Sequence, residues 1–221
     1  DGQMGNNTDI TNVSKATIGR LPAYLRYLKE KELAGERTIT STAIAEDLHL
    51  NAVQVRKDLS AIRSVAGKPK RGFEIADLIE GINAFLGYDN VTDAVLVGAG
   101  GLGSALLGYG GFKNYGLNIV AAFDTDPALI GKTIGGVKVF GADEIPHLVH
   151  RLNVLIGIIT VPKAAAQKVA DALVSGGVRA IWNFASAHLQ LPEDIAVKNE
   201  DMAASLAILS RRLAEILYSE K

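Results

Sequence analysis

The sequence predicts an α/β protein in two parts, an N-terminal winged helix-turn-helix followed by a doubly wound parallel sheet, with a long helix at the C-terminus. Three observations lead there. The hydrophobic pattern is helical up to about residue 87 and then alternates between short apolar runs and helical segments. A G-x-G-x-x-G loop follows the first of those runs. Basic residues concentrate on the third helix and the loop after it. With 221 residues, the chain has room for one large domain or two small ones.

The elements follow in order. Asp1–Asp9 is polar and rich in Gly and Asn, so residues 1–13 are expected to be disordered. Residues 14–86 form the first unit. Leu21, Tyr24, Leu25 and Leu28 make the apolar stripe of its first helix, Pro22 suits that helix's first turn, and Gly35 suits its end. A second short helix, capped by Thr40, Ser41 or Thr42, buries Ile44, Ala45 and Leu48. After the tight connection His49–Asn51, a third helix begins with Asn51 as cap and Gln54 three residues on, close to a capping box. It carries Val53, Val55, Leu59 and Ile62. Two short helices so joined form a helix-turn-helix. Gly67–Ile75 reads as a basic loop and short strand, the shape of a wing, and a helix over Ala76–Leu86 closes the unit.

Net charge is −1 overall, which as a single number argues weakly against a nucleic-acid partner. Divided by segment it says more. Residues 54–71 hold Arg56, Lys57, Arg63, Lys68, Lys70 and Arg71 against one acid, Asp58. Neutralising phosphates requires such a local patch, not a basic whole chain. On the third helix Gln54, Arg56, Lys57 and Ser60 are the polar groups able to face a major groove, where Gln pairs with adenine edges and Arg with guanine. Lys68, Lys70 and Arg71 could enter a neighbouring narrow minor groove.

Gly87–Asn90 is the expected junction, and residues 87–200 form the second unit. Its strands are the continuous apolar runs Ala94–Val97, Ile119–Phe123, Val154–Ile159 and Val178–Phe184, which fit a parallel sheet buried on both faces. The first runs into Gly98-Ala99-Gly100-Gly101-Leu102-Gly103 and then a helix. Gly98 permits the tight turn, Gly100 lets a pyrophosphate approach the backbone, and Gly103 lets helix pack on strand, which is the Rossmann dinucleotide fingerprint. The helix N-terminus adds unpaired N–H groups and the positive end of its dipole. The second strand ends at Asp124, 21 residues beyond Gly103, where an acid hydrogen-bonds the adenosine ribose. Asp126 follows, and no Lys or Arg comes until Lys132, so a 2′-phosphate would be repelled and NAD(H) is preferred over NADP(H). Residues 201–221 contain the last helix, Met202–Tyr218, with Leu206, Leu209, Leu213, Ile216 and Leu217 on one face.

The function classes narrow accordingly. There are no cysteines, which excludes disulfides and thiol chemistry. No window is long and apolar enough to span a membrane and no N-terminal signal is visible, so a cytoplasmic location is expected. The Tyr-x-x-x-Lys pairs Tyr27/Lys31 and Tyr109/Lys113 lie before or too soon after the glycine loop to serve a reductase. His147 and His150 have no evident third partner, so no metal is expected and no catalytic residue is assigned. A binding unit joined to a cofactor sensor therefore outranks the alternatives, an NAD-dependent oxidoreductase with a basic accessory domain or a dinucleotide-bound scaffold.

With both halves placed, the chain from Lys15 to Tyr218 resembles the Rex family of redox-sensing transcriptional repressors. The resemblance rests on Ala16–Pro22, Gln54–Ser60, Val97–Gly103, Ala121–Asp124, Thr160–Pro162 and Asn183–Ala185, in that order. It implies a homodimer that binds an A·T-rich palindromic operator in double-stranded DNA and is released by NADH, while NAD⁺ competes poorly or permits binding. The C-terminal helix would be exchanged between subunits. By position, Gly98, Ala99, Gly100, Gly101, Leu102, Gly103 and Asp124 would hold the dinucleotide, and Thr160, Val161, Pro162, Asn183 and Phe184 the nicotinamide end. Tyr109 and Asp201 match a pair that meets across the dimer and changes partner with redox state. Arg20 would link the winged helix to that switch, and Met202 would sit at the interface. Ser186 stands where the family commonly has proline, and Ala61–Phe73 lacks its usual aromatic and glycine-rich wing.

Overall fold

The computed structural model describes residues 13–62, 72–90 and 92–219. The chain divides into two compact units, Asp1–Asp89 and Asn90–Lys221.

The first unit is built on α1 (Lys15–Leu33). Ser14 caps it, its hydroxyl accepting the Thr17 N–H at 3.1 Å. This start, well upstream of the expected one, corrects the reading of Pro22, which lies inside the helix rather than in its first turn. The proline removes one backbone donor, but Leu21, Tyr24, Leu25 and Leu28 are all buried around it. Each buried side chain of that size contributes about 1.5–3 kcal/mol, enough to carry a helix through the lost bond. The helix ends at Leu33, and Gly35 turns the chain with φ +87°.

Strand β1 (Thr38–Ile39) leads to α2 (Ser41–Asp47), where Thr40 alone of the three candidates is the cap and accepts the Ala43 N–H. Helix α3 (Ala52–Ala61) follows, with Asn51 accepting the N–H groups of Val53 and Gln54. Val55, Leu59 and Ile62 face the core as expected, whereas Leu48 is only partly buried. Val53 does not belong with them: it is 59% exposed, because the cap turn places it on the opposite face from Val55. Strand β2 (Phe73–Glu74) pairs antiparallel with β1, and α4 (Ile75–Leu86) closes the unit; most of the expected wing lies outside the described residues.

The second unit is a seven-stranded sheet in the order β5-β6-β4-β3-β7-β8-β9. Its strands are β3 (Thr92–Val97), β4 (Leu117–Asp124), β5 (Thr133–Ile134), β6 (Val137–Gly141), β7 (Ile156–Ile159), β8 (Ala180–Asn183) and β9 (Ala196–Asn199). All pairings are parallel except that of β5 with β6. The four expected strands are present, two of them shorter at the start: Val154 and Val178 take part in the turns leaving the preceding helices instead. Strands β5, β6 and β9 have no counterpart among the expected strands, since none is a continuous apolar run; β5 and β9 are the edges of the sheet and β6 lies between β5 and β4.

Helix α5 (Gly101–Gly108) follows β3, α6 (Ile145–Leu152) precedes β7, α7 (Lys163–Ser175) precedes β8, and α8 (Met202–Ser219) follows β9. One core cluster joins α6 and α7 to one face of the sheet through Val95, Phe123, Leu148, Val149, Ala170 and Leu173. Leu96, Ala122, Ile158 and Leu107 of α5 form another cluster. The chain reverses direction across the sheet between β3 and β7, because β4 and β6 lie on one side of β3 and β7 to β9 on the other. In such sheets, ligands bind beyond the carboxyl ends of the strands at that reversal.

Candidate nucleotide site and DNA interface

The glycine loop leaves β3 at that reversal point. Gly98 has φ +101°, and a Cβ there would come within 2.9 Å of Thr160 and Val161. A Cβ on Gly103 would collide with the Gly98 carbonyl. Both positions are therefore closed to any side chain. Gly100 and Gly101 differ: a Cβ on either meets nothing within 4 Å, so the space outside this part of the loop is open. Beside it the first turn of α5 directs its N–H groups outward, as helix N-termini do. A loop sealed from behind and open in front fits an approaching pyrophosphate.

Side chains hold the loop in that shape. The Asp124 carboxylate accepts the Ala99 N–H at 2.7 Å and the Asp126 N–H at 2.9 Å. Ser104 donates its hydroxyl to the Ala99 carbonyl at 2.6 Å. Thr160 Oγ1 lies 2.7 Å from the Gly98 carbonyl oxygen and 3.0 Å from that of Val97, so its single proton is spent on the loop. Thr160 is thus bound to the glycine loop, and its remaining lone pairs can only accept. A cleft lined by Gly98, Gly100, Asp124, Thr125, Thr160, Val161 and Pro162 brings the two motifs together.

Asn183 and Phe184, at the end of β8, are less alike than their adjacency suggests. Asn183 is buried, and its Nδ2 donates to the Ala187 carbonyl and to Asn199 Oδ1 while its Oδ1 accepts the Ala185 N–H. Both of its donor protons are used inside the fold. Phe184 is half-buried and packs on Trp182 at 5.0 Å between ring centroids. The next turn contains Ser186 at φ +48°, a value closed to the proline expected by resemblance. Tyr109 is 53% exposed and meets Phe112 edge-on at 5.0 Å. Asp201 caps α8 by accepting the Ala204 N–H at 3.0 Å, and Met202 is exposed. Leu102 is partly exposed at the start of α5.

In the first unit, Gln54, Arg56, Lys57 and Ser60 all lie on the exposed side of α3. Ser60 already donates to the Arg56 carbonyl at 2.7 Å and is left with acceptor capacity only. Lys68, Lys70 and Arg71 lie outside the described residues. Arg20 pairs with Asp58 of α3, Nε to Oδ2 at 2.7 Å and Nη2 to Oδ1 at 2.8 Å. Thr17, Tyr24 and Gln54 also donate to the same carboxylate.

Asp58 is 1% exposed. Burial opposes its ionisation, but hydrogen bonds from Arg20, Tyr24, Gln54 and Thr17 outweigh it and hold the carboxyl at about 2. Burial, with the nearby carboxylate, pushes the Tyr24 hydroxyl up to about 12. The sequence reading missed this hub, counting Asp58 only as a stray acid in a basic patch. A signal was present: position 58 falls on the buried stripe with Val55, Leu59 and Ile62, where a carboxylate needs a partner.

His147 and His150 are exposed on α6, and among the described residues no group of three potential ligands could hold a metal. Among the same residues no helix is long and apolar enough to cross a membrane.

Comparison with known proteins agrees across both units. Residues 12–60 match the family Putative DNA-binding protein N-terminus, and residues 89–187 match the family CoA binding domain. The chain is 39% identical to the Redox-sensing transcriptional repressor Rex of Bacteroides thetaiotaomicron, over 96% of each chain. It is 44% identical to that of Treponema denticola, over 87% of this chain and 91% of the relative. Among solved structures, RSP in complex with β-NAD⁺ and operator DNA superposes with a TM-score of 0.87 at 35% identity, covering 95% of this chain and 97% of that one. RSP in complex with β-NADH gives 0.85 at 34%, over 95% and 98%. Identities of 39% and 44% over 96% and 87% of the chain show that it belongs to the Rex family of redox-sensing transcriptional repressors.

Proposed function

We propose that this protein is a transcriptional repressor, not an enzyme, that grips operator DNA through its helix-turn-helix and lets go when NADH binds its second unit. The observation that carries this is the union of two sites in one chain: a cationic α3 surface, and a glycine loop sealed behind and open in front at the sheet's reversal point. Solved relatives bind the corresponding ligands, NAD⁺ with operator DNA in one structure and NADH in another.

Gly98–Gly103 would hold the pyrophosphate through backbone N–H groups, with Asp124 at the adenosine ribose. The matched CoA family name does not alter this reading: coenzyme A also carries an adenosine pyrophosphate, but its 3′-phosphate would meet the carboxylates of Asp124 and Asp126. At the other end the redox form is read. NADH and NAD⁺ differ by a hydride and a positive charge on the ring, so a sensor needs an affinity difference there. Val161, Pro162 and Phe184 offer an apolar surface that favours the neutral ring, with Asn183 positioning the turn rather than bonding the ligand.

The working assembly is a homodimer. Leu206, Leu209, Leu213, Ile216 and Leu217 of α8 are all more than half exposed in the single chain, an unusually large apolar face for water. A second copy would cover it by exchange of the helix, bringing Tyr109 and Asp201 into the region that changes with redox state, with Met202 beside them. Arg20, held on Asp58, would transmit that change to α3. The operator is an A·T-rich palindrome, matching the two-fold symmetry, and the location is the cytoplasm.

The decisive experiment is a gel shift on such a palindrome across NADH/NAD⁺ ratios. NADH, but not NADPH, is expected to abolish the shift. An unchanged shift at saturating NADH would overturn the sensor reading. Sedimentation of Leu209→Asp with Leu213→Asp tests the dimer: monomers are expected, and an intact dimer would remove α8 from the interface.

A further inference from the structure

We infer that Asp58 is a positioning residue for base recognition: by fixing the side-chain amide of Gln54 it makes α3 accept adenine and reject guanine at one operator position. This rests on the reading of α3 as the DNA-contacting helix.

Gln54 Nε2 lies 2.9 Å from Asp58 Oδ1. An ionised carboxylate has only acceptors, so the nitrogen, not the oxygen, of the amide must face it. Turning the amide over would set Oε1 against that carboxylate, with no proton between them. Asp58 itself cannot turn aside, because Arg20 holds both of its oxygens and Tyr24 and Thr17 hold one each. Gln54 is exposed, so it offers solvent what remains: both lone pairs of Oε1 and one Nε2 proton.

That remainder is one acceptor and one donor in a set order. Adenine offers the complement in the major groove, its N6 amino donor beside its N7 acceptor. Guanine offers two acceptors there, O6 and N7. An unrestrained glutamine could meet guanine by turning both Nε2 protons toward it. Here one of those protons is committed to Asp58, and the outward Oε1 would face O6. The buried hub thus sets specificity without touching DNA.

The test uses the full-length protein and a palindromic duplex library randomised in both half-sites, scored as relative affinity at each position. The wild type is expected to prefer adenine over guanine by about tenfold or more at one position of each half-site. Gln54→Ala should erase that preference and leave the others. Asp58→Leu, branched at the same carbon as Asp but without an acceptor, should reduce it below about threefold. Asp58→Asn, which keeps the oxygen facing Gln54, should retain the preference.

A purely structural Asp58 would weaken every sequence alike in both variants. That result, or an undiminished preference in Asp58→Leu, overturns the inference. Failure of the wild type to bind any duplex would instead overturn the DNA reading itself. Should Asp58→Leu not fold, the wild-type Gln54 amide carries the test by hydrogen exchange. One Nε2 proton is expected to exchange at least about tenfold more slowly than the other, reflecting one stable hydrogen bond, and equal rates overturn the inference.

Discussion

The two units handle polarity in opposite ways. In the helix-turn-helix a charged side chain is buried: among the described residues Asp58 is the one buried carboxylate, and four side chains converge on it. Among the described residues of the sheet unit the buried polar side chain is the neutral Asn183, and the groups proposed to face a ligand are mostly backbone N–H, shaped by glycines that admit no Cβ. The difference follows from what each binds. A base edge is read by side chains, whose many rotamers must be narrowed by other side chains. A pyrophosphate is read by the backbone, whose shape is narrowed by excluding atoms. The lesson is that side-chain removal should break the first unit, and side-chain addition the second.

The largest effect is expected from addition. Gly103→Val puts branched carbons where even a Cβ strikes the Gly98 carbonyl. NADH affinity should fall by about a hundredfold or more, since the glycine loop cannot keep its shape. Operator binding should survive and lose its response to NADH. Titration of NADH fluorescence alongside a gel shift measures both, and loss of DNA binding as well would show that the substitution acts beyond the loop.

Removal comes next. Asp58→Ala leaves the Arg20 and Tyr24 groups without their acceptor and should cost about 3 kcal/mol in the first unit's unfolding by urea. The wild type also carries a pH signature. Because the folded carboxyl titrates at about 2 and the unfolded one near 3.8, its contribution is complete above about pH 4 and lost as pH falls toward 2. That contribution is about 2 kcal/mol. Asp58→Ala should lack that part of the acid sensitivity, which unfolding curves between pH 5 and about 2 would register.

A third change sharpens the contrast by acting on the carboxylate that lines the proposed sheet site. Asp124→Ala removes the acceptor for Ala99 and Asp126 together with the proposed ribose partner. NADH affinity should fall by about tenfold to a hundredfold, about 1.4–2.8 kcal/mol, by fluorescence titration, with operator binding unaltered. The smallest effect is expected at Asn51→Ala, where two capping bonds to α3 are lost. Thermal unfolding should report about 1 kcal/mol, with no effect on NADH affinity.

Much of this was legible in order along the chain. The glycine loop, the apolar runs of β3, β4, β7 and β8, and the basic run after Gln54 are local patterns, and local patterns fix local structure. Pro22 misled because propensity weighs one position, while the burial of Leu21, Tyr24, Leu25 and Leu28 weighs the whole turn around it. Val53 misled because one residue of register decides which face of a helix it joins. Strand β9 left no signal, since an exposed edge strand needs only a partner, and that partner, β8, is supplied by the fold.

By itself, then, the sequence determined the two kinds of unit, the glycine loop with Asp124 at ribose distance along the chain, and the identity of the groups on α3. Each of these depends on residues close together in the chain. Only the tertiary structure decided what those groups are free to do. Asp58 receives Thr17, Arg20 and Tyr24 from a helix some forty residues away, and Thr160 spends its proton on a loop 62 residues earlier. A side chain's chemistry is set by its type, but which of its donors and acceptors remain unspent depends on neighbours that only folding brings within 3 Å.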